Sequence, residues 1–322
     1  MNPEQKASFK RLTDYYKKVR EAEKINLKII DEIVELVNSI LKRHQIEETI
    51  NTNQIKYNEG FIGNVIDIED KKLSKIIFDT IYPKPNNKYY SHYTTYQAAL
   101  NILESEELWI FNLVKNFNAD EFKLFYEEHN ITGYRELKST LGVKTDYRSI
   151  MSELYSLCLT TEDNESPELW SDFAGGGTGI KITFEIDNNN SDFREVYYSN
   201  EDKPKKIALL EDLFKTIESE YKKPIIFTEI SNIGSFYISG RFNNEKEFRF
   251  LINRDSDKYN ARNLTPINYE NDVTYIKLPF HSSFADFKVK SITKGPNCSA
   301  EKFKKIKNLV KKKYAYKVTF ED

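Results

Sequence analysis

A chain of 322 residues with a net charge of −2 and a pI near 6.2 is long enough for one large domain, or one domain with an extension, and carries no global electrostatic pull toward nucleic acid or membrane. Its two cysteines, Cys158 and Cys298, are too few and too far apart for a disulfide framework or a zinc site, so no metal is expected and a reducing cytoplasm fits. Aromatics at 14% supply a sizeable core, charged residues at 30% fit a soluble chain, and no apolar run approaches the length of a membrane span.

The opening stretch, MNPEQKASFKRLTDYYKKVREAEK, is charged throughout and does not read as a signal peptide. Residues 1 to about 45 read as helix, with Leu27, Ile30, Ile33, Val34, Val37 and Leu41 at three- and four-residue steps. A second helix over Lys71 to Ile81 ends at the turn-rich YPKPNNK, which places a boundary between a helical extension, 1–85, and a second region, 86–322. A short strand over Tyr90 to Tyr93 follows. Thr94 and Gln97 then have capping-box spacing for a helix running to about Ser105, and LWIF (Leu108 to Phe111) reads as a strand. Glu121 to Tyr155 is mostly helical in character. Strands are expected at YSLCLT (155–160), GIKITFEI (179–186), FREVYYS (193–199), EKEFRFLI (245–252), DVTYIKL (272–278), FADFKVKSITKGP (284–296) and YAYKVTF (314–320). Helices are expected at 205–221 and 299–313. Strands and helices mix without regular βαβ alternation, so the fold class is α+β.

Four constellations stand out. The glycine run AGGGTGIKITFEI opens a strand where phosphate-binding loops open a helix, so Gly175, Gly176, Gly177 and Gly179 read as a turn. Trp170 and Phe173 share a helix face at i, i+3, either as core or as a flat ring for a base or nicotinamide. On EKEFRFLI, alternation gives Phe248, Phe250 and Ile252 to the core face. Glu245, Glu247 and Arg249 fall on the other, either as a solvated surface or as the wall of a cleft. The tail helix has Phe303, Ile306 and Leu309 or Val310 on one side and lysines around the rest. His92 is one of only four histidines and sits on a strand just before a helix start. Either backbone satisfies it or it holds a ligand. No hydrolase or metalloprotease motif appears.

The ordered segments YYSHYTT…ILESEELWIFNLVKNFNADEF, LCLTTEDNESPELWSDFAGGGTGIKITFEI, REVYYSN, EKEFRFLI and FKVKSITKGPNCSAEKFKKIKNLV resemble the bacterial domain-of-unknown-function family 2971, over roughly Tyr89 to Lys312. Two marks depart from that pattern: FNADEF lacks the family's proline, and Phe173 replaces its tyrosine. More distantly, HYT on a first strand, an aromatic or hydroxyl mark on a middle strand and ExE on a later one resemble NAD-dependent ADP-ribosyltransferases of the His–aromatic–Glu type. The HYTTYQAALNILESEEL segment is similar to the opening of the DNA-modifying toxins and RNA 2′-phosphotransferases of that superfamily.

The resemblance implies a split, mainly antiparallel, ADP-ribosyltransferase-like sheet with a cleft, and NAD as substrate. It makes His92 the binder of an NAD ribose hydroxyl and the Tyr93 backbone the holder of the nicotinamide amide. Glu247 becomes the catalytic carboxylate and Glu245 the first acid of the pair. Thr160, Thr161, Tyr155 and Trp170 compete for the middle mark, and Thr94, Thr160, Trp170 and Arg249 complete the candidate NAD-contacting set. The chemistry is coherent: cleaving the nicotinamide–ribose bond builds an oxocarbenium-like centre, which a carboxylate gripping the ribose stabilises. The implied protein is an intracellular toxin or anti-phage effector modifying RNA, DNA or protein, with a possible antitoxin or partner protein. The alternative is a non-catalytic module on the same fold that binds a nucleotide or a partner protein.

Overall fold

The computed structural model of the chain describes residues 17, 26–57, 66–68, 71–119, 121–131, 147–187, 192–200, 206–227, 229–254, 261 and 263–322. The expected helix over 1–25, apart from residue 17, and the helical character expected over 132–146 lie outside these. In chain order the elements are α1 (26–43), β1 (Ile55–Tyr57), β2 (Ile66–Ile68), α2 (Lys71–Ile81), β3 (Tyr89–Thr94), α3 (Tyr96–Ser105), β4 (Glu107–Asn112), α4 (Glu121–Glu128) and α5 (Tyr147–Met151). There follow β5 (Leu154–Thr161), α6 (Pro167–Asp172), β6 (Ile180–Asp187), β7 (Asp192–Glu195), β8 (Tyr197–Ser199), α7 (Ala208–Tyr221), β9 (Ile225–Phe227), α8 (Ile230–Gly234) and β10 (Tyr237–Ser239). The last are β11 (Glu247–Asn253), β12 (Ile267–Glu270), β13 (Val273–Pro279), β14 (Asp286–Lys294), α9 (Ala300–Lys313) and β15 (Thr319–Glu321). The architecture is α+β with a mixed, mostly antiparallel sheet.

The chain forms two compact units: 1–77 with 129–144 and 206–230, and 78–128 with 145–205 and 231–322. Thus α7 and β9 join the N-terminal residues, and the division falls inside α2 rather than after it. In the first unit α1 buries Ile33, Val37, Ile40 and Leu41, whereas Leu27, expected on that stripe, is 58% exposed. Asn38 exchanges two hydrogen bonds with the Ile50 backbone, and Arg43 and His44 both reach Asp212 on α7. Strand β2 pairs antiparallel with β1 and parallel with β9.

The second unit is built around β5. One edge of β5 pairs with β11 along its length, from Leu154↔Asn253 to Thr160↔Glu247. The other edge is divided: Ser156 and Tyr155 pair with Phe111 and Asn112 of β4, while Thr160 and Thr161 pair with Ser91 and Tyr90 of β3. The sheet therefore forks. One arm runs β4–β13–β12 and the other β3–β6–β14–β15, with β7 flanking β11. Between the arms, Leu157 to Leu159 have no ladder partner on that edge among the described residues.

Alternation sorts the two faces. Phe248, Phe250, Ile252, Leu157, Leu159, Tyr90, Ile182 and Phe184 lie in one core cluster, closed by Ile102 and Leu103 of α3 and by Phe303, Ile306 and Val310 of α9. The opposite face carries a polar row in register, Glu247–Thr160–Ser91–Thr183–Ser291, across five strands. Directly opposed residues in antiparallel pairs share a face. All five are buried, and Ser91 and Thr183 bond to each other at 2.9 Å.

Several local expectations shift. Thr95, not Thr94, caps α3 by accepting from the Ala98 N–H at 3.3 Å, because Thr94 is still paired to Ile180 in β3. The strand expected over 314–320 is reduced to Thr319–Glu321; Tyr314 instead buries its ring and donates its hydroxyl to the Leu103 carbonyl at 3.1 Å. Gly175, Gly176 and Gly177 are left-handed, at φ of 57°, 67° and 79°, as the turn between α6 and β6 requires. Gly179 serves another purpose: a Cβ there would stand 2.2 Å from the Thr94 carbonyl. Gly176→Ala, with open space around it, is expected to lose only the left-handed penalty of about 1–2 kcal/mol. Gly179→Ala is expected to lose clearly more by forcing β3 and β6 apart, as urea denaturation of the two variants will show.

Candidate functional site

The fork in the sheet gathers the residues singled out from the sequence. His92 follows Ser91, the last residue of β3 bonded to β5, and so does not share the polar row that contains Glu247. Its ring enters the gap between the arms and lies with Nδ1 3.2 Å from the Cys158 carbonyl. A carbonyl only accepts, so Nδ1 carries the proton and Nε2 is left as an acceptor. Burial lowers the imidazole below its ordinary 6.5, partly opposed by the Cys158 hydrogen bond and slightly reinforced by Lys115, so the ring is neutral at pH 7.

Thr160 is the one middle-strand candidate that stands in register between both neighbours, Ser91 on β3 and Glu247 on β11. Its hydroxyl accepts from Asn164 Nδ2 at 2.7 Å and donates to the Lys246 carbonyl at 3.3 Å. Thr161 is one step on, paired with Tyr90. Tyr155 lies at the far end of β5 with its hydroxyl 2.7 Å from Thr274.

Glu247 and Arg249 are not a solvated strand face. They are 4% and 1% exposed and form a bidentate pair, Nε to Oε1 at 2.8 Å and Nη2 to Oε2 at 3.1 Å. Arg249 Nη1 also donates to the Ser235 carbonyl at 2.5 Å, and the Glu247 N–H donates to the Tyr198 hydroxyl at 2.7 Å. Burial holds that phenol well above its ordinary value and so protonated. Glu245 does not share this strand face. It ends a 3-10 turn, Gly240–Glu245, and Lys246, left-handed at φ 44°, turns the chain before β11 begins. Its carbonyl is fixed by Asn164 Nδ2 at 3.0 Å.

Tyr93 points away from His92, into a small cluster with Leu169, Trp170 and Ala174. Its ring meets Trp170 edge-on at 4.8 Å, and its hydroxyl donates to the Asn164 carbonyl at 3.1 Å. Its backbone stands opposite Lys181 of β6, and Thr94 is buried beside it opposite Ile180. Trp170 is 6% exposed; its Nε1 donates to Glu165 at 3.2 Å, and the other Glu165 oxygen accepts from the buried Lys181 at 3.3 Å. A cleft of about 450 Å³ opens here, lined by Glu165, Ser166, Trp170, Ser171, Gly177 and Asn297 among others. Of the residues singled out from the sequence, Trp170 and the glycines Gly176 and Gly177 line it. Phe173, paired with Trp170 in the sequence reading, is 41% exposed.

The fork thus joins His92, Thr160 and Glu247 through adjacent strands, whereas Tyr93 and Trp170 form a second group linked to the first by Asn164. Asn164, Glu165, Lys181, Ser91 and Tyr198 were not singled out from the sequence. The only signal for Ser91 was a hydroxyl inside an aromatic strand, and Asn164 looked like an ordinary turn residue in TEDNESP.

No protein-family model matches the chain, and neither a curated protein nor a solved structure matches it. Among the described residues no helix is long and apolar enough to cross a membrane, and no cluster of His, Cys, Asp and Glu is arranged to hold a metal ion.

Two outcomes follow from the site's electrostatics. Glu247→Ala leaves a buried guanidinium without its carboxylate, and a loss of about 3–5 kcal/mol is expected. The double variant Glu247→Leu/Arg249→Met should be less destabilised than that single one, as chemical denaturation will measure. His92, with a lowered native value, binds fewer protons folded than unfolded. Its contribution is complete above about pH 6.5 and is lost as pH falls through the native value. His92→Gln should therefore flatten the fall in melting temperature below pH 6.5.

Proposed function

We propose that the chain is an NAD-consuming ADP-ribosyltransferase whose reaction centre lies at the fork of the β5 sheet. The observation that carries this reading is the placement of Thr160 and Glu247 in one row on β5 and β11, with His92 on the adjacent strand β3 at the point where the two arms part, its side chain on the opposite face of the sheet with Tyr90 and Ile182. Strands β3, β5 and β11 are the first, middle and later strands that the resemblance asks for. Thr160 is the residue we assign to the middle position.

Each group has a role its geometry suits. The free Nε2 of neutral His92 accepts a hydrogen bond from a ribose hydroxyl. Glu247, kept oriented by Arg249, has lone pairs to spare, because a carboxylate offers about four acceptor sites and the guanidinium occupies two. A ribose 2′-hydroxyl can therefore be gripped without breaking the ion pair, once the side chains covering Glu247 move aside. The C1′–N bond to nicotinamide then breaks, its electron pair neutralising the pyridinium. The carboxylate stabilises the oxocarbenium-like ribose, and an acceptor hydroxyl, amine or ring nitrogen bonds to C1′ and releases a proton. The cleft beside Trp170, at about 450 Å³, lies within the size range of small-molecule sites.

A second reading, a non-catalytic nucleotide-binding or partner-binding module, is favoured by two observations: His92 and Glu247 lie on opposite faces of the sheet, and Glu247 is 4% exposed with both of its oxygens engaged by Arg249. Nicotinamide release separates the two. For the transferase, Glu247→Gln is expected to cut turnover by about 10²–10³-fold while NAD still raises the melting temperature, since the charge acts mainly in the transition state. His92→Ala should abolish the NAD-induced shift. Folding of each variant is checked by circular dichroism, because Gln at 247 weakens a buried ion pair. Wild-type protein that binds NAD and releases no nicotinamide, with or without a cell lysate as acceptor, leaves the binding module as the function.

A further inference from the structure

The segment 300–317 holds eight lysines and one acid, Glu301, in a chain whose net charge is −2. Burial of Phe303, Ile306 and Val310 fixes the roll of α9 and sends its lysines outward. Some are neutralised locally: Lys305 pairs with Glu301 at 3.1 Å, Lys307 with Asp322 at 2.8 Å, and Lys313 reaches the Glu104 carbonyl. Lys304, Lys311, Lys312 and Lys317 are exposed and make no ion pair among the described residues. On α9, Lys304, Asn308, Lys311 and Lys312 stand at i, i+4, i+7 and i+8, a single stripe about 12 Å long. One nucleic-acid strand places about three phosphates along that length.

The N-terminal end of α9 lies close in sequence to the cleft. Pro296 and Asn297 line the cleft beside Trp170, and Asn297 Nδ2 donates to the Gly176 carbonyl at 2.8 Å. The chain then passes directly to Ser299, which caps α9. A polyanion that follows the stripe toward the N-terminus of α9 approaches the loop that forms part of that cleft. Tyr316, 36% exposed beside Lys317, adds a ring of the kind on which unpaired bases stack.

We propose that this lysine stripe binds the sugar–phosphate backbone of a nucleic acid, and that nucleic acid is the macromolecular acceptor; the acceptor half rests on the transferase reading above, the binding half does not. A membrane surface fits less well, because the apolar face of α9 is locked in the core and leaves nothing to insert. A protein partner fits less well too, since protein interfaces are depleted of lysine and centre on clustered aromatic or apolar anchors, whereas α9 itself exposes none and Tyr316 stands beside it as a single ring.

The test is fluorescence anisotropy with labelled single-stranded DNA and RNA of about 20 nucleotides, without NAD, on the full chain between about 50 and 200 mM salt. Binding is expected, with log affinity falling against log salt at a slope of about −2, the value for about three phosphates on a single strand. Lys304→Gln/Lys311→Gln/Lys312→Gln, all exposed and remote from the core, should keep the wild-type melting temperature and its nicotinamide release measured without nucleic acid. It should weaken binding by about tenfold or more and flatten the salt slope. No binding at the lowest salt, undiminished binding by the triple variant, or binding to phosphatidylserine vesicles and not to oligonucleotides overturns the proposal. Oligonucleotide binding without nicotinamide release leaves the stripe standing and removes the transferase. Nicotinamide release without oligonucleotide binding does the reverse.

Discussion

A strand has two hydrogen-bonding edges, and the allocation of those of β5 governs the second unit. Strand β11 takes one edge completely, so β4 and β3 must share the other. With only two residue pairs holding β3 to β5, the arms diverge immediately afterward. In the gap the Cys158 carbonyl accepts from the ring of His92. The same arrangement sets Thr160 between Ser91 and Glu247 and so produces the polar row beneath the fork. The placement of the candidate residues follows from edge sharing in one strand.

That polar row runs along the face opposite the aromatic core. Burying Glu247 and Arg249 together is tolerable because each satisfies the other, and because Ser235 and Tyr198 occupy further donors and acceptors. The pair thereby holds the carboxylate in one orientation and keeps water from it. Preorganisation of this kind is what electrostatic catalysis needs, and it also obstructs a substrate, which explains why burial and function pull in different directions at this residue. The second group, Tyr93 with Trp170, Glu165 and Lys181, borders the cleft through Trp170 and Glu165. Asn164 connects the groups, bonding Thr160 and the Glu245 carbonyl through its amide while its own carbonyl accepts from Tyr93.

Local pattern made much of this visible in advance. The helix after β3, the amphipathic stripe of α9, the alternation of Phe248, Phe250 and Ile252, and the glycine turn before β6 are encoded in residues close in sequence, and the α+β class follows from their order. Element ends were less legible. The cap of α3 moved to Thr95 because pairing with β6 held Thr94 in the strand, and Glu245 left β11 because Lys246 adopts a left-handed turn. Neither choice is written in the local pattern alone.

The faces of β11 show the division most clearly. Period-two alternation determined that Glu247 and Arg249 oppose the phenylalanines, since the pleat leaves no other arrangement. Whether that second face meets water or protein depends on what covers it, and its cover comes from Ser235 and Tyr198 in other parts of the chain. Likewise, the sequence supplied His92, Thr160 and Glu247 as separate marks, but long-range strand pairing alone decided that their strands adjoin at one fork, with His92 on the opposite face from the other two. Pairing partners are chosen by hydrogen-bond edges and core packing between distant segments, and no local window of sequence contains that choice.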